Sequence, residues 1–179
     1  MMAGMVTDPD TDTRIEPPFE ADERATLVAF LRWHRGTLER KCSGLDAGDL
    51  ARRAAEPSTL SLLGLVRHMA DVERSWFRRV MAGQDAPPRF YSDADPDGDF
   101  DGAAADSQLV TQAWDAWRDE VAFAERFVDQ APDLDLTGHH PRRGTISLRW
   151  VLVHMVEEYA RHNGHADLLR QRIDGVVGV

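Results

Sequence analysis

Apolar side chains recur along most of the chain at intervals of three and four, the period that lines one face of an α-helix. Leu27, Leu31, His34, Leu38 and Cys42 make the first stripe and predict a helix over residues 21–43, with Gly44 as its stop. Leu62, Leu65, Met69, Val72 and Trp76 make the second, over residues 58–82, with Ser58 or Thr59 as N-cap and Gly83 at the end. Val110, Ala113, Trp114, Trp117, Val121, Ala124 and Phe127 mark a third helix over residues 104–130, which Pro132 stops. The last stripe is Leu148, Val151, Leu152, Met155, Tyr159, His162, Ala166 and Leu169. It predicts a helix from Thr145 or Ser147 to about residue 173, closed by Gly175. No segment shows a convincing period of two, the mark of a half-buried strand, and no internal repeat is present.

The segment between the second and third helices, QDAPPRFYSDADPDGDFDGA, holds three prolines and six aspartates over residues 84–103 and is read as non-helical. Twenty loop residues inside a compact domain point to a long crossover or a functional loop. Residues 1–20 are polar and read as a disordered leader, which leaves residues 21–179 as one domain. Four amphipathic helices with one long middle connection predict an all-α fold, a four-helix bundle. Such bundles build metal sites from side chains on facing helices.

Composition narrows the partners. A formal net charge of -10 argues against nucleic acid or an anionic membrane as partner. No run approaches the length and apolarity of a membrane span, and the acidic N-terminus is no secretory signal. One cysteine, Cys42, excludes an internal disulfide and fits a cytoplasmic location. Lysine and asparagine each occur once, as Lys41 and Asn163, while arginine carries the positive charge; this bias suggests a GC-rich genome.

The polar residues that interrupt the stripes carry the chemistry. On the last helix His154, Glu158 and His162 follow one another at i,i+4, so their side chains stand one above the other on a single face. That face adjoins the apolar stripe, and a carboxylate turned inward is costly unless paired or coordinated. The competing reading is a solvated polar edge with helical pairs such as Glu157 with Arg161. His68, one residue before Met69 on the second helix, shifts the balance: with Glu158 and His162 it makes three nitrogen or oxygen donors. Three protein ligands with one open position is the pattern of a catalytic divalent-metal site. His154 and His165 are then spare ligands or supporting groups, and Asp71, one turn after His68, is expected to orient that imidazole.

The blocks "TLSLLGLVRHMADVERSWF" and "SLRWVLVHMVEEYARHNGHADLLRQRIDG" resemble the DinB-like superfamily, closest to its actinobacterial branch of DinB and mycothiol transferases. They are also similar to the N-terminal domain of mycothiol-dependent maleylpyruvate isomerases. The resemblance runs over about residues 21–175. It implies a four-helix bundle of up-down-down-up order and a divalent metal held by His68, Glu158 and His162. In the common pattern the middle ligand is histidine; Glu158 matches the isomerase-type variant. The resemblance further implies mycothiol as a cosubstrate that attacks a small electrophile. Zinc is the expected metal, with nickel, manganese and iron as alternatives. The default assembly for a small soluble enzyme is a homodimer.

Other readings remain open beside it. A non-enzymatic metal-binding or stress-related bundle protein would carry the same residues. A 2-His-1-carboxylate set also serves non-haem iron oxygenases, but those favour β folds. Asp93 to Gly98 copies the start of an EF-hand loop, yet its twelfth position is Ala104 instead of the bidentate glutamate. Phe90, Tyr91 and Phe100 are candidate lid anchors. In GHHPRRG, residues 138–144, Arg142 and Arg143 are candidates to meet a substrate carboxylate, against the plainer reading of a turn before a helix.

Overall fold

The computed structural model describes residue 12 and residues 14–178. Most of the leader expected over residues 1–20 therefore lies outside the described residues. Its described part reaches α1, where the Arg14 guanidinium lies 3.9 Å from the Trp33 ring centre and donates to Thr37 Oγ1.

Four long helices share one core. They are α1 (Glu23–Cys42), α3 (Leu62–Glu73) with its π-helical continuation (Arg74–Met81), α5 (Ser107–Gln130) and α6 (Leu148–Asp174). α1 packs mainly on α6, and α3 on α5. Capping sets the starts: Asp22, Ser61, Asp106 and Ser147 each accept a backbone N–H of the first turn through the side chain. Ser61 fills this role for α3, so that helix begins at Leu62, later than Ser58 or Thr59 would place it. Gly175, with φ of +81°, ends α6 in the left-handed conformation that glycine adopts most readily. No described helix is long and apolar enough to cross a membrane.

Three local features differ from the periodicity. The crossover is not free of helix, since α4 (Gly98–Asp101) forms a single turn in it, and α2 (Ala47–Ala51) forms another between the first two long helices. The end of the second long helix widens into π geometry, with Ala82 N–H donating five residues back to Phe77 O. Finally, β1 (Thr137–His140) and β2 (Gly144–Ser147) form an antiparallel hairpin that carries the chain into α6. Four-residue strands are too short to reveal a period of two. The hairpin presses on the π turn so closely that a Cβ at Gly138 would lie 2.2 Å from the Val80 carbonyl oxygen.

At the centre of the core lies a carboxylate. Glu73 is fully buried on α3 and accepts from Arg35 Nε and Nη2 of α1, each at 2.7 Å, and from the Tyr159 hydroxyl of α6 at 2.8 Å. Trp117 of α5 donates its indole N–H to the same hydroxyl at 2.8 Å. Each long helix thus contributes one member of a network in which a bidentate guanidinium neutralises the buried charge. A second buried carboxylate, Glu120 of α5, receives Arg74, Arg78 and Arg89. Cys42 is buried in the apolar core, and burial pushes its thiol up to about 12.

Two outcomes are expected. Glu73→Ala strands Arg35 in the core and lowers stability by about 3–5 kcal/mol in urea titration, whereas pairing Arg35→Met with Glu73→Leu restores most of that loss. Because a thiol raised that far stays protonated at pH 8, Ellman's reagent should find no thiol in the native protein and one per chain in guanidinium chloride. A fast-reacting native thiol would contradict the burial.

Candidate metal centre

His68, Glu158 and His162 come together between α3 and α6, and one ligand atom from each lies within 4.8 Å of the others. Donors at about 2.0–2.1 Å on a tetrahedral ion stand about 3.3–3.4 Å apart, so the set closes with side-chain rotations that bring the donors about 1.4 Å nearer to one another. The imidazoles of His68 and His162 face each other with ring centres 4.7 Å apart.

The electrostatics of the three groups suit a cation. His162 is 9% exposed, and its burial, with His68, His165 and Arg161 nearby, pushes it down to about 4. It is neutral at pH 7 and keeps a lone pair to donate. Glu158 lies 3.4 Å from His154 Nε2 and 3.6 Å from His162 Nε2, both too long for good hydrogen bonds. No lysine or arginine among the described residues pairs with it. The helical pair Glu157–Arg161 forms at 3.1 Å, so the solvated edge exists, but it is the next stripe round the helix.

Sequence reasoning assigned the orienting carboxylate to Asp71, and the structure gives Asp71 another task. Asp71 accepts the backbone N–H groups of Arg89 and Phe90 at 2.7 and 2.8 Å, which pins the start of the crossover to α3. The group on His68 is Asp99 of α4, with Oδ2 at 2.7 Å from Nδ1 and Oδ1 taking Phe100 N–H. That leaves Nε2 of His68 as the free donor, the arrangement in which a carboxylate fixes the tautomer of a metal-binding histidine. Arg67 holds Asp99 in place by donating to the Asp99 and Gly98 carbonyls, both at 2.8 Å. Gly64 lets α4 approach: a Cβ there would stand 3.3 Å from Phe100 Cα. One face of α3, Gly64, Arg67, His68 and Asp71, thus holds the crossover at residues 89–90 and 98–100.

The remaining candidates distribute around this centre. His165 Nδ1 lies 3.4 Å from His162 Nδ1, and His154 flanks Glu158, so neither belongs to the close trio. Phe100 stacks on His68 at 4.7 Å, Phe90 lies under the Arg67 guanidinium, and Tyr91 lines a cleft of about 290 Å³ together with His68, Trp76 and Asp99. Arg143 lies over Trp76 and Trp150, whereas Arg142 is exposed at the hairpin turn.

Comparison with known proteins adds independent weight. No curated protein matches the chain. Among solved structures, a conserved protein from Enterococcus faecalis matches with a TM-score of 0.60 over 87% of this chain and 99% of its own, at 16% identity. That likeness speaks for the fold. The family model for mycothiol-S-transferase matches residues 26–175, from the first turn of α1 to the glycine that caps α6. The match takes in all four long helices, the crossover and the three converging donors, and on that extent the chain belongs to the mycothiol-S-transferase family, a DinB-like family.

Proposed function

We propose that the protein is a cytoplasmic, metal-dependent thiol S-transferase in which His68, Glu158 and His162 hold a divalent cation. The low-molecular-weight thiol is mycothiol, and its acceptor is a small electrophile that leaves as an S-conjugate or an isomerised product. The observation that carries this reading is Glu158, a half-buried carboxylate aimed at two imidazoles with no lysine or arginine partner among the described residues. The scaffold of the reading is a four-helix bundle of up-down-down-up order over residues 21–179, preceded by a leader. The packing of α1 on α6 and of α3 on α5 supports it.

A bound divalent ion, zinc by default for two histidines and a carboxylate, supplies Lewis acidity that lowers the pKa of a coordinated thiol toward neutrality. The chain's own groups prepare for this. Asp99 takes Nδ1 of His68 and turns Nε2 toward the site. Burial keeps His162 unprotonated, so few protons compete for its lone pair. Phe100, stacked on His68, covers that side of the centre from water. The buried Cys42 leaves the nucleophile to the cosubstrate.

Elemental analysis of purified wild type should find about one divalent ion per chain, and Glu158→Ala should lose it. Conjugation of a bimane electrophile with mycothiol should fall at least about a hundredfold in His68→Ala, with helix content unchanged by circular dichroism. A metal-bearing wild type with no turnover would favour a metal-stabilised binding protein instead. Asp99→Ala should weaken zinc affinity by about 10–100-fold in a chelator competition. Equal affinity there would remove Asp99 from the centre.

A further inference from the structure

α1 packs mainly on α6, and α3 on α5, so α1 and α5 flank a gap. Polar bridges span it. Arg32 Nε donates to Glu125 Oε1 at 2.9 Å, and Arg24 Nη1 donates to the Val128 and Ala131 carbonyls at 3.2 and 2.9 Å. Beside these bridges opens a pocket of about 240 Å³. Its walls are apolar: Val28 and Leu31 of α1, Ala124 and Val128 of α5, and Leu152 of α6. It shares no residue with the cleft beside His68.

One buried polar group borders this apolar space. Arg35 is only 5% exposed, and it lines the pocket together with Glu125. Its Nε and Nη2 are spent on Glu73. Its Nη1 has Glu125 Oε1 at 4.0 Å, beyond hydrogen-bonding distance, and no other acceptor among the described residues. A donor taken out of water without an acceptor is costly. The pocket is the side from which an acceptor can arrive.

The chemistry of the ligand follows from what Nη1 lacks. Glu73 already neutralises the guanidinium, so an acceptor atom is missing and a countercharge is not. Arg24, Arg32 and Arg35 stand against Asp22, Glu125 and Asp129 of the same pocket, with Glu73 behind them. Three cations among four carboxylates give an incoming anion no net attraction. The acceptor oxygen is therefore uncharged. Size sets the rest, since an apolar cavity of about 150 Å³ takes benzene. This pocket has room for one ring with a short substituent. We infer that it is a second binding site, for a small neutral carbonyl compound. The ring lies against Leu31, Ala124 and Leu152, and the carbonyl oxygen accepts from Arg35 Nη1. Such a ligand lands on the residue that neutralises Glu73, so its occupancy bears on the network joining the four long helices. The site does not rest on the thiol-transferase reading.

The test uses acetophenone as the probe and the full chain as purified, with calorimetry and ¹H–¹⁵N correlation spectra as readouts. Wild type should bind saturably, shifting amides of α1 and α5 along the pocket and leaving those around His68 in place. Ethylbenzene, which has the ring and no oxygen, should bind about tenfold more weakly. Benzoate, which brings a charge, should also bind about tenfold more weakly. Val28→Phe and Ala124→Leu fill the pocket from opposite helices and should each weaken acetophenone about tenfold or more. Circular dichroism checks their folding, and the half-buried Val28 accepts the larger side chain even where the tightly packed Ala124 does not. Arg35 stays in place throughout, because its removal strands Glu73. Absence of saturable binding, shifts centred on His68, or undiminished binding by folded Val28→Phe would overturn the proposal. So would ethylbenzene or benzoate bound as tightly as acetophenone.

Discussion

A carboxylate removed from water must have its charge met, and Glu73 meets that demand by drawing one side chain from each of the other three long helices. Arg35, Tyr159 and, through Tyr159, Trp117 have to arrive at one point in the core with hydrogen-bonding geometry. Apolar packing tolerates small slides and rotations of a helix, but this network does not. Tyr159 follows Glu158 directly and precedes His162 by three residues, while Glu73 follows His68 by five. The network that orients α3 and α6 in the core thereby sets the angle from which the three donors face one another. Stability and site geometry are coupled through the same few atoms.

The crossover solves a different problem. A proline- and aspartate-rich segment buries little apolar surface beyond Ala86, Phe90, Phe100 and Ala103, so α3 also holds it by polar contacts to its backbone. Arg67 takes two carbonyls and Asp71 takes two amides. Gly64 removes the side chain that would keep α4 away. The result brings Asp99 to His68 across 31 residues of sequence and sets Phe100 against the imidazole. A segment that composition marks as solvated acidic loop is instead fastened at both ends, and one of its aspartates is 4% exposed.

Much of this was legible in the residues, and the unread parts share a cause. Helix periodicity and the i,i+4 spacing of Glu158 and His162 are local properties, and the long helices and the close trio follow from them. Asp99 was invisible because six similar aspartates occupy the crossover, and only its path decides which one reaches His68. Asp71 looked better placed because it lies one turn away on the same helix. Glu73 and Arg35 left a signal that went unused. Glu73 stands four after Met69 and three before Trp76, and Arg35 stands four after Leu31 and three before Leu38, so both fall on their apolar stripes. Two opposite charges at buried positions of two helices predict a pair. The hairpin and the π turn left no such trace, for four residues hold too few periods to separate a strand from a turn.

The buried and half-buried carboxylates, taken together, say which one differs. Glu73, Glu120, Asp71 and Asp99 each have both oxygens met by a guanidinium, a hydroxyl, an imidazole or a backbone N–H. Glu158 has only two imidazoles beyond good hydrogen-bonding distance, one of them held neutral by burial. An anion with unsaturated oxygens beside two nitrogen lone pairs has no use for another acceptor; what completes it is a cation. Among the described residues the chain supplies a fitting donor to each of the four buried carboxylates, so the gap at Glu158 reads as the place where a partner from outside the chain belongs.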